Sequence, residues 1–218
     1  MPFITKELDF VCSVCGETSK HTIIDQTDPP QGVPDIDLRP DQPHRGYVKY
    51  WAMECPCCGY CNATLDMPAD FDREYLESDE YKSCGNIPTS DPTAQKMIRK
   101  ALCCVKSHNY KEAVQSYLYS AWLFDDAGNN ELAVMCRKAA VKIIDGHPAA
   151  FRGDDNFRVL MADLLRRAGE FDRVVREYEG KAYRSQLMTA IVFFEVQLAS
   201  AKDDKAHRAD EVPGVTAK

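Results

Sequence analysis

The chain has 218 residues, 44% of them hydrophobic and 28% charged, enough for one large domain or two small ones with cores of their own. Its longest apolar runs, Ala190–Phe194 among them, are too short to span a bilayer, and its first residues show no basic stretch followed by an apolar one, so a soluble, cytoplasmic protein is expected. The net charge of −7 is uneven: residues 1–86 hold 7 Lys and Arg against 16 Asp and Glu, and residues 87–218 hold 20 against 18, so the N-terminal part repels phosphates and counts against nucleic-acid binding.

The first elements read as a β-rich ribbon. Leu8–Val11 leads into Cys12-Ser13-Val14-Cys15-Gly16, and His21–Ile24 leads away from it. Tyr47–Met53 runs into Cys55-Pro56-Cys57-Cys58-Gly59, and Asn62–Leu65 leads out. Short β-branched and aromatic segments beside turn residues predict strands. Each cysteine pair is C-x-x-C-G, the form of a metal knuckle. In the second, the proline fixes one backbone angle between the ligands; in both, the glycine permits the positive-φ turn that aims backbone N–H groups at sulfur. Cys12, Cys15, Cys55 and Cys58 thus supply the ligand number and type of a closed tetrahedral zinc site. Ten cysteines without an export signal favour metal over disulfides. Cys58-x-x-Cys61 is a competing pair, but Cys55 and Cys58 alone carry Pro and Gly in knuckle register. Cys57 and Cys61 remain as possible auxiliary thiols, or simply as tolerated small residues.

Between the knuckles, Asp28–Gly46 is rich in Pro, Gly and Asp and predicts an irregular insertion, either ordered or mobile. Within it, Asp35, Asp37 and Arg39, followed by His44, are candidates to contact a ligand or to clasp the helical half. The plainer alternative is an extended loop held by an Asp–Arg pair.

From about Pro68 the pattern turns helical. Ala69–Tyr81 predicts an acidic amphipathic helix ending near Gly85. Ser90 or Asp91 caps a helix with Pro92 in its first turn, running to about Ser107. Asn109 caps the next, to about Ala127, and Gly128 follows it. Another spans Asn130–Ile144, stopped by Gly146 and Pro148. Asp154 or Asp155 caps one to Ala168, Gly169-Glu170 separates it from Phe171–Glu179, and a last helix covers Tyr183–Lys202. The polar tail after Asp203 is expected to fray. Tyr110, Ala113, Tyr117 and Ala121 share their spacing with Phe171, Val174, Tyr178 and Ala182, as in tetratricopeptide-type helix pairs, although any antiparallel bundle alternates small and large residues too. The last helix is apolar on more than one face, so it is expected to be central or buried against a partner such as a second copy.

Motifs for catalysis are missing: there is no H-E-x-x-H, G-x-S-x-G, Walker loop or G-x-G-x-x-G, and the five histidines are scattered. No catalytic residue is assigned. Cys103, Cys104 and Cys136 fall within helices and read as buried small hydrophobes. Arg166, Arg167, Arg173 and Arg176 read as a solvated face, which folding could instead turn toward nucleic acid. Thiolates do not separate zinc from iron, so a rubredoxin-like iron site is the alternative cofactor.

On the Cys12–Gly16 knuckle, the Asp35–Pro40 stretch, Trp51–Tyr60 and the helical pattern from Tyr110 to Ala140, the chain resembles a prokaryotic domain-of-unknown-function family. That family pairs an N-terminal zinc ribbon with a tetratricopeptide-like helical domain. The resemblance implies an α+β chain and a metal, not an activity. The expected division is a β zinc ribbon over residues 1–68 with its loop at 28–46, an acidic helix and linker at 69–90, an all-α helical-hairpin domain at 91–203, and a polar tail at 204–218. The functional expectation is a zinc-binding, non-enzymatic adaptor that meets a protein partner through its helical domain, with a redox or metal-responsive protein as the alternative.

Overall fold

A computed structural model describes residues 3–89 and 91–215. The chain is of the α+β class, with two small antiparallel sheets followed by helices. Strands β1 (Ile4–Val11) and β2 (Thr18–Gln26) pair from Val11 opposite Thr18 to Ile4 opposite Gln26, so the first knuckle is the turn of a hairpin. Strands β3 (Met53–Glu54) and β4 (Cys61–Asn62) bracket the second knuckle in the same way. The segment before β3 departs from expectation: His44–Tyr50 is a 3-10 helix, not a strand. His44, Tyr47, Val48 and Ala52 are buried and Trp51 is half-buried, a spacing of three and four rather than strict alternation.

Residues 69–86 also differ from the single helix expected. A 3-10 turn at Arg73–Glu77 is followed by α1 (Asp79–Lys82) and another 3-10 turn at Ser83–Asn86. Ser78 causes the break. Its backbone is extended, its hydroxyl donates to the Tyr75 carbonyl at 2.6 Å, and the Tyr81 N–H donates to that hydroxyl at 3.3 Å.

The remaining helices follow the expected order: α2 (Pro92–Lys106), α3 (Tyr110–Asp126), α4 (Asn130–Gly146), α5 (Asp155–Arg167), α6 (Phe171–Tyr178) and α7 (Gln186–Ser200). Asp91 caps α2, accepting from the N–H groups of Thr93 and Ala94 at 2.8 and 3.0 Å; the other candidate cap, Ser90, lies outside the described residues. Gly146 is the last residue of α4 rather than its stop. Three links between helices share one geometry. His108, Gly128 and Gly169 are left-handed at φ 58°, 70° and 81°, and the next N–H returns to a carbonyl five residues back: Asn109 to Cys104, Asn129 to Phe124, Glu170 to Leu165. This link folds α2 on α3, α3 on α4 and α5 on α6. The spacing shared by residues 110–121 and 171–182 is not matched in the helices, because α6 ends at Tyr178 and Ala182 lies beyond it.

Trp122, Phe157, Leu164, Leu165, Val174 and Val192 anchor the main core between α3 and α7, and Val48 and Ala52 join it from the ribbon side. Helix α7 is not central. It packs on α5 and α6, with Val192 and Ala199 in the main core and Leu198 also buried, while Leu187 and Phe193 stay 51% and 60% exposed. The tail is not frayed over its described length. Asp35 and Arg208 form an antiparallel bridge, the Ile36 N–H donates to the His207 carbonyl at 2.9 Å, the Ala209 N–H donates to the Pro34 carbonyl at 2.8 Å, and Val212 is buried. Among the described residues, no helix is long and apolar enough to cross a membrane.

Candidate metal centre

Two knuckles of matching geometry face each other. In each, the first cysteine's N–H donates beyond the turn, Cys12 to Glu17 and Cys55 to Tyr60, both at 2.8 Å. The glycine N–H returns to that first cysteine, Gly16 to Cys12 at 2.8 Å and Gly59 to Cys55 at 2.9 Å. Both glycines sit at φ 75°. These turns aim backbone donors at sulfur: Val14 and Cys15 at Cys12, Glu17 at Cys15, Tyr60 at Cys58. Across the pair, Cys12 Sγ lies 3.7 Å from Cys58 Sγ and Cys15 Sγ 3.6 Å from Cys55 Sγ, and all four ligand atoms fall within 4.8 Å of one another. A tetrahedron with metal–sulfur bonds of about 2.3 Å has edges of about 3.8 Å. The four sulfurs therefore fit one tetrahedral ion and could supply all four of its ligands.

The thiols are held unequally. Burial pushes Cys12 up against the N–H groups aimed at it, and burial pushes Cys58 well above the ordinary range. Burial opposes ionisation of Cys15 as well, but the Glu17 N–H and the three neighbouring thiols outweigh it and bring Cys15 down to about 7. One thiolate is thus favoured where four cannot coexist without a cation to offset them.

The knuckles are fixed from several sides. The Ser13 N–H donates to the Leu65 carbonyl at 2.9 Å, and the Ser13 and Tyr60 hydroxyls both donate to the Met67 carbonyl, at 2.7 and 2.9 Å. Helix α2 holds the second knuckle through Arg99 on Glu54 at 2.6 Å and through the buried Lys100, whose ammonium donates to the Trp51 carbonyl at 3.1 Å. The two other ribbon thiols part company. Cys57 is exposed at the knuckle tip beside Cys15, whose hydrogen bond and charge push its pKa up. Cys61 is fully buried with Tyr81 and Cys103, where burial drives its pKa well up.

The insertion residues face the helices. Asp37 Oδ1 accepts the Arg39 N–H at 3.1 Å; its Oδ2 accepts the Trp122 indole N–H at 2.7 Å and lies 3.5 Å from Arg167. Arg39 donates to the Trp122 carbonyl at 3.1 Å and pairs with Asp126. Arg45 reaches Asp35 at 3.4 Å. His44 is bound to the Asp28 carbonyl at 2.7 Å and packs on Tyr47. Asp125 lies behind them, held by Arg137 at 2.6 and 3.1 Å and by Arg167 at 2.8 Å. Burial raises the Asp125 carboxyl, yet the two guanidiniums hold it below the usual range; burial and Asp163 push Asp37 up to about 6.

The arginines expected on a solvated face are divided. Arg166 and Arg167 are buried, Arg173 pairs with Asp145 and Glu177, and Arg176 alone stays largely exposed. Spacing and motif single out none of Trp122, Asp125, Arg137 and Glu195 in the sequence. A signal exists only for Arg166, which continues the stripe of Val159 and Ala162 at helical spacing and so puts a charge in core register. Compared with protein-family models, curated proteins and solved structures, the chain shows no match in any of the three.

Proposed function

We propose that Cys12, Cys15, Cys55 and Cys58 hold a structural Zn²⁺ and that the protein is a non-enzymatic adaptor. The carrying observation is the closed set of four sulfurs, which leaves a tetrahedral ion no position for substrate or water. The metal folds a ribbon with little core of its own: β1 is exposed along nearly its whole length. The helical hairpins, read as a tetratricopeptide-like stack, then carry the contact with a protein partner. The exposed Leu187 and Phe193 of α7 are where a second copy is to be sought first.

Metal content and the visible spectrum of protein purified anaerobically test this reading. One colourless zinc per chain is expected, with Cys12→Ser losing both the metal and the fold of the ribbon; structural zinc contributes on the order of 10 kcal/mol to such units. A folded, metal-free Cys12→Ser protein would contradict it. A second reading rests on Cys57, exposed beside Cys15: a redox or metal-responsive ribbon, with zinc or a rubredoxin-like iron. Coloured iron, or reversible metal release on oxidation that Cys57→Ser abolishes, would favour it.

A further inference from the structure

A pocket of about 380 Å³ lies where the insertion and the end of the ribbon meet α3, α5 and α7. Pockets of about 300–1,000 Å³ are the size that takes small organic ligands. Its wall is aromatic. Trp51 and Tyr119 meet edge to face with centroids 4.8 Å apart, and Tyr119 and Trp122 are tilted at 5.1 Å, so three rings form one continuous surface. Leu160 of α5 and Met188 of α7 line it from other sides.

The charges around it are already used. Among the described residues Asp37 is the one carboxylate in the lining, and its oxygens are taken by Trp122, Arg167 and the Arg39 N–H, with its side chain 1% exposed. Burial holds the Tyr119 hydroxyl up at about 12, hence neutral. The other polar side chains are Gln115, Asn156 and Ser185, all uncharged. An ionic ligand entering here would lose its water and gain no counter-ion. Two clefts elsewhere are charged: one is edged by Asp155, Arg158, Glu177, Lys181 and Arg184, another by Asp70, Asp72, Glu74, Glu80 and Lys106.

Leu38 stands at the mouth. It is 75% exposed and left-handed at φ 68°, a conformation that costs a leucine energy. The turn is enforced by the Leu38 N–H on the Asp35 carbonyl and the Asp35 N–H on the Arg39 carbonyl, both at 2.9 Å. Its neighbours Asp37 and Arg39 are tied into the helices, so this apolar side chain is held in water at the rim of an apolar pocket. Leu187, also exposed, lies on the same lining.

We infer that this pocket binds an uncharged, largely apolar small molecule that packs against the Trp51–Tyr119–Trp122 wall under Leu38. The inference is independent of the metal.

Trp51 and Trp122 are the chain's two tryptophans, so an occupant reports on itself. The full chain is titrated with N-phenyl-1-naphthylamine, a neutral probe, and in parallel with its sulfonated analogue anilinonaphthalene sulfonate. Expected are saturable binding of one neutral probe per chain, energy transfer from tryptophan, and at least tenfold weaker binding of the sulfonate. Leu38→Asp charges the mouth without touching the core, and Met188→Phe fills the space; each should weaken the neutral probe at least tenfold. Phe193→Ser, on the exposed face of α7, should leave it unchanged. Unsaturable binding, equal affinity for the two probes, or loss in Phe193→Ser with none in Leu38→Asp would overturn the assignment. Metal assayed on the same samples keeps this result separate from that of the zinc reading.

Discussion

At the residue scale, the knuckle glycines do work that no side chain can. A Cβ built on Gly16 would meet nothing within 4 Å, so substitution there tests the backbone alone. Left-handed φ costs an L-residue about 1–2 kcal/mol. Gly16→Ala is therefore expected to lower the unfolding free energy of the metal-loaded protein, measured in urea, by that much, with Gly16→Asn closer to wild type; equal stability of all three would mean the turn does not need its positive φ. The same locality made the site legible. Cys12, Cys15, Cys55 and Cys58 could be chosen because Pro and Gly fix a five-residue geometry that needs no tertiary context. Cys61 could not be placed by spacing, since what separates it from the ligands is the packing of Tyr81 and Cys103 from distant elements.

At the element scale, the link between α2 and α3 carries a histidine where the equivalent links carry glycine. His108 pays the left-handed penalty at φ 58° in return for a 2.8 Å hydrogen bond between its Nδ1 and the Tyr110 hydroxyl. His108→Gly should raise stability to chemical denaturation by about 0.5–1 kcal/mol, the strain removed less the extra freedom of glycine in the unfolded chain. A loss of stability would show that the Tyr110 contact outweighs the strain. Helix order and ends from α2 to α6 were readable to within about two residues because caps and breaks are local signals. The strand expected over Tyr47–Met53 is a misreading because its aromatic and β-branched content suggests a strand while the burial from His44 to Ala52 follows helical spacing. Residues 69–81 were misread because Ser78 satisfies two turns at once, which acidic amphipathic patterning does not reveal.

At the scale of the whole molecule, buried charges join parts that sequence leaves far apart. Arg166 of α5 pairs with Asp163 at 3.1 Å and with Glu195 of α7 at 2.5 Å, and donates to the tail carbonyls of Asp203 and Lys205 at 2.9 and 2.8 Å. Two carboxyls share one guanidinium, with Asp163 Oδ1 and Glu195 Oε1 buried and without hydrogen-bond partners. Burial, then Asp163, push Glu195 up to about 8 against the attraction of Arg166. The folded chain thus keeps a proton that the unfolded chain releases above the ordinary value of 4.5, so this group's stabilisation is complete below that pH and is lost as pH rises toward 8. Glu195→Gln, which mimics the protonated form, should match wild type at pH 5 and exceed it increasingly toward pH 8, by up to about 1.4 kcal/mol per pH unit. Parallel stability curves with the variant weaker throughout would mean that Glu195 is ionised. None of this pairing was legible, because a charge in core register names no partner until the fold supplies one.

The bridge from Asp35 to Arg208 has a consequence in time. A ribosome delivers residues 34–39 long before residues 207–212, and the helices that receive Asp37 and Arg39 emerge in between. Until residues 207–209 are made, the insertion lacks the extended segment that takes its backbone N–H and carbonyl groups. This joint can form only after those helices have emerged, and a nascent chain stalled before it presents Ile36 and its neighbours as an open peptide edge to whatever binds such edges.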